Sequence, residues 1–468
     1  MLFLFTGAAL SASVAPDVEW SRTYGKEGTA VGRYSYTIWS GQEVEDGGYI
    51  LAGDLLNDDQ SDQYVDFVLI KTDSTGNEEW NKTFGGAYYQ SAYSARQTRD
   101  GGYILAGDSE NGYMNGWVVK TDSEGKEEWN RTFGGKLTDD LRYVQETNDG
   151  GYIFAGRTDS FGAGKSDAWL IKTDSNGNEE WNRTFGGMSN ERAYSVQETT
   201  NGGYVLVCGT PTYVSSIDTH TAFLIKTDSS GNEEWNRSFE NMGYDYISSA
   251  KETTDGGYIL AGITHPSDDD RAGRSWLIKI NSNGEEEWRR TFETMAYDIG
   301  LDSVQQASDG GYIFAVHSSL IKTDPNGYEE WNKTFENDAG FIRAIQKTSD
   351  KGYVLAGIKE IEGEGINRAC LIKLAGEKYS EDPLNEVKEL KDYVSSLENV
   401  DDSTKNVLTV KLENVIRNLE KGETGKAVSK LEQFTDLVNK LSLQNKINTD
   451  QANILIQKSQ RIIELIQN

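Results

Sequence analysis

Carboxylates and phenols collect where the regular pattern of this chain breaks. Asp58, Asp59 and Asp62 stand in an acidic stretch at 54–66, and Asp268, Asp269 and Asp270 stand in a second one. Tyr88, Tyr89, Tyr244, Tyr246 and Tyr297 decorate further breaks. Oxygen ligands suit a hard cation, and aromatic rings supply contact area at interfaces. The mixture therefore fits a calcium-assisted glycan site or a protein-contact surface, with solvated loops as the plainer reading. The three histidines, His220, His265 and His317, make a metal site conceivable. They follow the preceding repeat tyrosine by 16, 7 and 5 residues, so their convergence is not implied. No nucleophile with its base, phosphate loop or spaced carboxylate pair stands out, so the expectation is a protein without catalysis. Calcium is the one cofactor left open.

Two other motifs have structural explanations beside the chemical ones. Asp174 to Glu179 superficially resembles a calcium loop, but its glycine is at the fourth position rather than the sixth, which suits a hairpin turn. Asn81, Asn130, Asn182, Asn236 and Asn332 each begin an Asn-x-Ser/Thr sequon and are candidates for glycosylation. Gln42, Gln97, Gln145, Gln197, Gln305 and Gln346, with Lys251, recur on one strand, where they can line a polar channel or bond between neighbours.

The elements that position these residues are copies of one sentence. Its Gly-Tyr pair ends at Tyr49, Tyr103, Tyr152, Tyr204, Tyr258, Tyr312 and Tyr353. Its hydrophobic-Lys run ends at Lys71, Lys120, Lys172, Lys226, Lys279, Lys322 and Lys373. Its tryptophan falls at Trp20, Trp80, Trp129, Trp181, Trp235, Trp288 and Trp331. Spacings of about 41 to 60 residues are the period of a four-stranded propeller blade. In the fourth unit the strands are expected at 194–199, 204–207, 222–227 and 233–239, with Asn-Gly and Gly-Gly pairs supplying the positive φ of the hairpins. Period-two alternation puts Trp181, Arg183 and Phe185 on one face, and a ring repeated in every unit reads as packing between blades. The fold class is mainly β: a seven-bladed propeller over 17–376. Because the chain starts on a strand of the fourth type and its last unit lacks one, residues 19–24 should close blade seven. The one-to-two and three-to-four turns, short and nearly constant, share one face. The variable connections share the other, where binding is expected.

Acidic residues outnumber basic ones, 75 against 46, for a formal charge of −29. This argues against nucleic acid or an anionic membrane as partner. Residues 1–15 are apolar and end in small side chains, as in a secretory leader, although no basic segment precedes them. No later run is apolar enough to span a bilayer. Cys208 and Cys370 lie in units three blades apart, beyond disulfide reach; Cys208 is read as standing where sibling repeats carry Ala106 or Ala155.

After a linker at 377–383 the pattern becomes helical, with helices expected at 384–398, 403–420, 424–443 and 449–467 in a small antiparallel bundle over 384–468. Val407, Leu408, Leu412, Val415, Ile416 and Leu419 form one stripe, and Ala427, Val428, Leu431, Phe434, Leu437, Val438 and Leu441 another. Gly422 suits a helix end and Thr449 or Asp450 a start. Residues 19–374 resemble the secreted Asp-Gly-Gly-Tyr/Trp-x-x-Thr-Phe-Gly-Gly repeat proteins of bacteria and archaea. Residues 401–467 resemble the FIMAH-type domain of prokaryotic surface and secreted proteins, through Leu419-Glu420-Lys421-Gly422, Ala427, Leu431, Phe434, Val438, Ile447 and Ala452, although Phe434 is followed by Thr435. These resemblances imply an extracellular or cell-surface location. The expected function is non-catalytic binding or adhesion to an extracellular protein or glycan, with the helices docking to the envelope. A structural envelope component and a polysaccharide hydrolase or lyase are the alternatives.

Overall fold

The computed structural model describes residues 15–25, 32–59, 62–86, 89–110, 112–210, 222–239, 244–265, 273–296, 303–335, 338–361, 366–376, 382–397, 400–447 and 449–467. The expected leader falls outside these except for Ala15. The chain divides into a strand-built unit and a helical unit.

Seven four-stranded antiparallel sheets make up the first unit. Blade four matches the expected segments closely, with strands Arg192–Glu198, Tyr204–Gly209, Ala222–Thr227 and Glu233–Phe239. Blade seven takes its outermost strand from the start of the chain: Val18–Tyr24 pairs antiparallel with Ile366–Leu374. Closure is reinforced by side chains, as Tyr24 donates to the Gly76 carbonyl at 2.8 Å and Trp20 meets Tyr49 of blade one edge-on.

A buried lysine organises each blade. Lys172 is 2% exposed, and its Nζ donates to the Thr173 carbonyl at 2.9 Å. It also ion-pairs with Asp149 of the one-to-two turn and Glu180 of the outer strand, at 2.9 and 3.0 Å. The lysine stem crosses the blade while its charge emerges at the turn face, where two half-exposed carboxylates receive it. Lys71, Lys120 and Lys279 repeat the arrangement. In blade seven the outer-strand carboxylate is Glu19, 3.4 Å from Lys373. The second glycine of the Gly-Gly-Tyr motif follows from this: a Cβ on Gly151 would lie 2.1 Å from the Thr173 carbonyl and 2.6 Å from Lys172 Nζ.

Between blades, alternate strand residues pack toward opposite neighbours. Tyr152 and Phe154 join Ile104, Ala106 and Phe133 of blade two, whereas Ile153 and Ala155 join Val196, Leu206 and Cys208 of blade four. Six outer-strand tryptophans meet the following blade's tyrosine at a tilt or edge-on, as Trp129 meets Tyr152 at 6.0 Å and Trp181 meets Tyr204 at 5.9 Å. The basic residue two positions on covers its other side, with Arg183 5.4 Å from the Trp181 ring, in agreement with the expected shared face.

Both cysteines are free and buried. The position of Cys208 needs correction. It pairs with Ala193 as Gly156 pairs with Leu141, so it occupies the column of Gly107 and Gly156, one residue beyond Ala106 and Ala155.

The helical unit comprises α1 (Pro383–Ser396), α2 (Asp402–Glu420), α3 (Thr424–Leu443) and α4 (Thr449–Gln467). Asp401 caps α2, accepting from the Thr404 N–H at 2.9 Å, and Gly422 ends it at φ +68°. Leu408, Leu412, Val415, Leu431, Phe434, Val438, Leu455 and Ile462 are fully buried in one core. Val407 departs from the expected stripe: it is 45% exposed, one position round the helix from the buried Leu408. No described helix is long and apolar enough to cross a membrane.

Two outcomes are expected. Lys172→Met leaves the two carboxylates and the Thr173 carbonyl without their common donor and should cost about 1–3 kcal/mol in denaturant unfolding, less than a fully buried pair because the acids are half exposed; a loss below about 0.5 kcal/mol would show that the clamp is dispensable. Deleting residues 17–24 should lower the melting temperature and promote aggregation through the exposed edge of Ile366–Leu374; a monomeric variant that melts like the parent would overturn the closure.

Candidate functional site

The innermost strands carry a β-bulge at a common position. The register slips at Trp39, Tyr93, Arg142, Tyr194 and Arg343 in blades one, two, three, four and seven, and also in blade five. Bulges re-aim side chains. Here they form a ladder on the variable-loop side of the axis. The Arg343 guanidinium lies 4.6 Å from the Trp39 ring, Trp39 lies 5.8 Å from Tyr93, and Arg142 stacks 3.7 Å from Tyr93. Arg142 then meets Asp140, fully buried, which Arg157 and Arg192 also reach, at 3.0, 2.9 and 3.2 Å.

Three carboxyls of adjacent blades behave differently here. Burial pushes Asp54 up to about 7, although Trp39 Nε1 donates to it at 3.0 Å and the Ala92 N–H at 2.9 Å. Burial, with the charge of Asp140, pushes Asp108 up to about 6. Burial also opposes ionisation of Asp140, but Arg142, Arg192 and Arg157 outweigh it and hold this carboxyl at about 2. Asp54 and Asp108 occupy the column five residues after the repeat tyrosine, where blade three has Arg157 and blades five and seven have Ile263 and Ile358. That unlike column was the sequence signal for this cluster.

Nearer the constant turns, the axis widens into a cavity of about 330 Å³ lined by Gln42, Arg96, Gln145, Gln197, Lys251, Gln305 and Gln346, one from each blade, together with Tyr143. The expected glutamine ring is therefore present with one correction. Blade two contributes Arg96, seven residues before its tyrosine like the others, whereas Gln97 bonds between blades and accepts from the Glu45 N–H at 2.8 Å. Arg96 is fixed by Ser40, the Ala95 carbonyl and the Tyr143 hydroxyl, at 3.0, 2.8 and 2.7 Å. Lys251 Nζ approaches the same hydroxyl at 3.5 Å. A second hollow, of about 380 Å³, is lined by Gly85, Gln90, Ser109, Asn115 and Trp117, but it draws on the edge of one blade rather than on all seven.

Among the described residues, none of the acids and tyrosines expected on the ligand face lines this cavity. Asp58, Asp59 and Asp62 belong to a correction of form: the acidic stretch is a β-hairpin, with Tyr49–Asp59 paired to Asp62–Thr72 and Asp59 opposite Asp62. Strand pairing outlasts the motif because Leu55, Leu56, Val65 and Phe67 continue a β pattern. The side chains of these three acids, and of Tyr244 and Tyr246 at the start of Tyr244–Glu252, lie outside the described residues, as do Tyr88, Tyr297, Asp268, Asp269, Asp270 and His220. Tyr89 is half exposed and pairs through its backbone with Val65. His317 stacks on Phe341 at 4.3 Å, and no metal-binding cluster of three acids, histidines or cysteines occurs among the described residues. The hairpin reading of Asp174 is met by its bonds to the Asn176 and Asn178 N–H groups, 2.9 and 2.8 Å. Asn130, Asn182 and Asn236 lie on outermost strands, and each donates to the glutamate three residues earlier, at 2.7, 2.6 and 2.6 Å. Asn81 does the same to Glu78, and Asn332 is exposed on its outer strand.

The raised carboxyls give the stability a pH dependence. A folded state that holds protons the unfolded chain releases above about 4 loses stability as pH rises through the folded values. The parent should therefore weaken between about pH 4 and pH 7, and Asp54→Asn with Asp108→Asn should remove on the order of 2 kcal/mol of that loss. Thermal melts of parent and double variant that run parallel across this range would contradict the assignment.

Solved structures of similar architecture share little sequence with this chain. The WD40 domain of Pan2 from Neurospora crassa has TM-score 0.46 and 10% identity, covering 74% of this chain and 90% of that one. The β-propeller domain of the Trilobed protease from Pyrococcus furiosus has TM-score 0.42 and 12% identity, covering 74% and 100%. A protein of unknown function from Bacteroides caccae has TM-score 0.38 and 12% identity, covering 67% and 98%. No curated protein matches the chain. Residues 384–464, which hold the four helices almost to their ends, match the family model of the FIMAH domain.

Proposed function

We propose that this protein is a non-catalytic binding module of the cell exterior, in which the propeller receives a ligand along its axis and variable-loop face and the helical region docks to the envelope or to another protein. The observation that carries this reading is the convergence of one polar side chain from each of seven blades on a single cavity. Rigid frameworks that present a few converging polar groups in a concavity are the usual form of a ligand site. Location at the cell surface is supported by the apolar leader-like residues 1–15 and by the FIMAH match.

A second reading, an enzyme acting on extracellular polysaccharide, has one observation in its favour. Asp54, a buried carboxyl with its pKa near 7, has the property of a general acid. The two readings part in one experiment. The full chain is incubated with purified envelopes and polysaccharides from the source cell, with and without calcium, and both sedimentation and product release are followed. Saturable co-sedimentation without release of saccharide ends is expected. Release of ends that is abolished by Asp54→Asn would replace the binding reading with the enzyme, and absence of both binding and release would overturn both.

A further inference from the structure

We propose that the axial cavity is a site for a carboxylate that also carries hydroxyl groups, a sugar acid of the uronate class; this inference rests on the binding reading above. The first argument is the contrast of charge. The chain carries a formal −29, yet two cations, Arg96 and Lys251, stand on the wall of this cavity with amides and a phenol. The bulge layer next along the axis adds Arg142 and Arg192, which pair with Asp140, and Arg343, which lies over the Trp39 ring. An anion entering the lumen gains from fixed charges in a confined, weakly screened space.

The second argument is the orientation of the amides, which backbone partners assign. Gln145 accepts from the Glu198 N–H at 2.9 Å, Gln197 from the Glu252 N–H at 3.1 Å and Gln346 from the Glu43 N–H at 2.7 Å, in each case through Oε1. An N–H can only donate, so the Nε2 end of each is the end left to the lumen. Blades two to five thus form one continuous arc of donors: Arg96, Gln145, Gln197 and Lys251. Gln305 is turned the other way, donating from Nε2 to the Ile345 carbonyl at 3.1 Å, and Gln42 leans on the Glu43 carbonyl at 3.5 Å. Blades six and one therefore offer Oε1 acceptors.

The lumen is polarised as a result, with donors and cations along blades two to five and, along blades six, seven and one, the Gln305 and Gln42 acceptors on either side of the Gln346 Nε2 donor. A carboxylate meets the first side and hydroxyls meet the second. A bare carboxylate brings no donor to the acceptors, and a neutral sugar brings no negative charge to the cationic side. The volume, near the lower end of the roughly 300–1,000 Å³ range of small-molecule sites, holds one sugar ring rather than a chain. The acid can arrive free or as the last residue of an acidic polysaccharide, and both present the same chemistry.

Calorimetric titration of the full chain tests this, with galacturonate, glucuronate, oligogalacturonate and, as the neutral control, galactose, at low and high salt. The variants are Arg96→Gln and Lys251→Gln, singly and together. They install the glutamine found in the other five blades, so the fold is expected to survive, and circular dichroism checks it. Lys82→Gln, on an outer strand, is the control for general charge. Saturable uronate binding that weakens at least tenfold in either single variant, weakens with salt, is unchanged in Lys82→Gln and is not shared by galactose is expected. Equal binding of monomer and oligomer would support a free acid, and binding of the oligomer alone would support a chain end. Equal binding of galactose, or binding unaffected in the double variant, would overturn the proposal. Envelope binding by the parent without uronate binding would overturn this inference alone, whereas loss of both would also remove the binding reading.

Discussion

A lysine charge carried through the interior to a turn is the constraint on which the propeller depends. The ammonium cannot be left among apolar strands, so each blade must deliver acceptors to the same point: a main-chain carbonyl, a turn aspartate and an outer-strand glutamate. That requirement accounts for residues far apart in the repeat, including a glycine whose only role is to leave room. It also joins three of the four strands at one end of the blade, so the hairpin register is set by charge as well as by hydrophobic alternation. Where blade four has Asn201 in place of the turn aspartate, Glu234 alone keeps the ion pair, at 3.1 Å.

With the turn face so constrained, variation is left to the axis and to the opposite connections. The bulges matter for that reason. One additional residue in the inner strands of blades one, two, three, four and seven lets an aromatic ring or a guanidinium enter the lumen without disturbing the outer strands. The axis thus combines fixed backbone with variable chemistry. Its side chains are held before any ligand arrives, as Arg96 is by three acceptors, which reduces the ordering cost of binding.

Most of the architecture was legible because the repeat states its strands seven times, and four helices were legible from their apolar stripes and their end signals. Legibility failed where one residue changes the meaning of a position. Gln97 looks like its siblings by type, but it stands six residues before its tyrosine instead of seven, and Arg96 takes the place in the lumen. Cys208 was displaced by the same single step. The acidic stretch at 54–66 has the composition of a loop and the pairing of a hairpin, since cross-strand partners lie beyond what local composition records. Asp54, Asp108 and Asp140 read alike as acidic residues, and only the arginines brought together by topology separate their charges.

The shared seventh blade has a consequence for the order of folding. Val18–Tyr24 leaves the ribosome about 350 residues before its partner Ile366–Leu374, which at roughly 5–20 residues per second is a wait of about 20–70 s. During that time the strand is an unpaired template, and the glutamate and arginine within Val-Glu-Trp-Ser-Arg-Thr-Tyr discourage premature association. The six blades between can assemble from local hairpins as they emerge. The ring can close only when both its oldest and its newest strands are present, so the last contacts made join the residues most distant in synthesis.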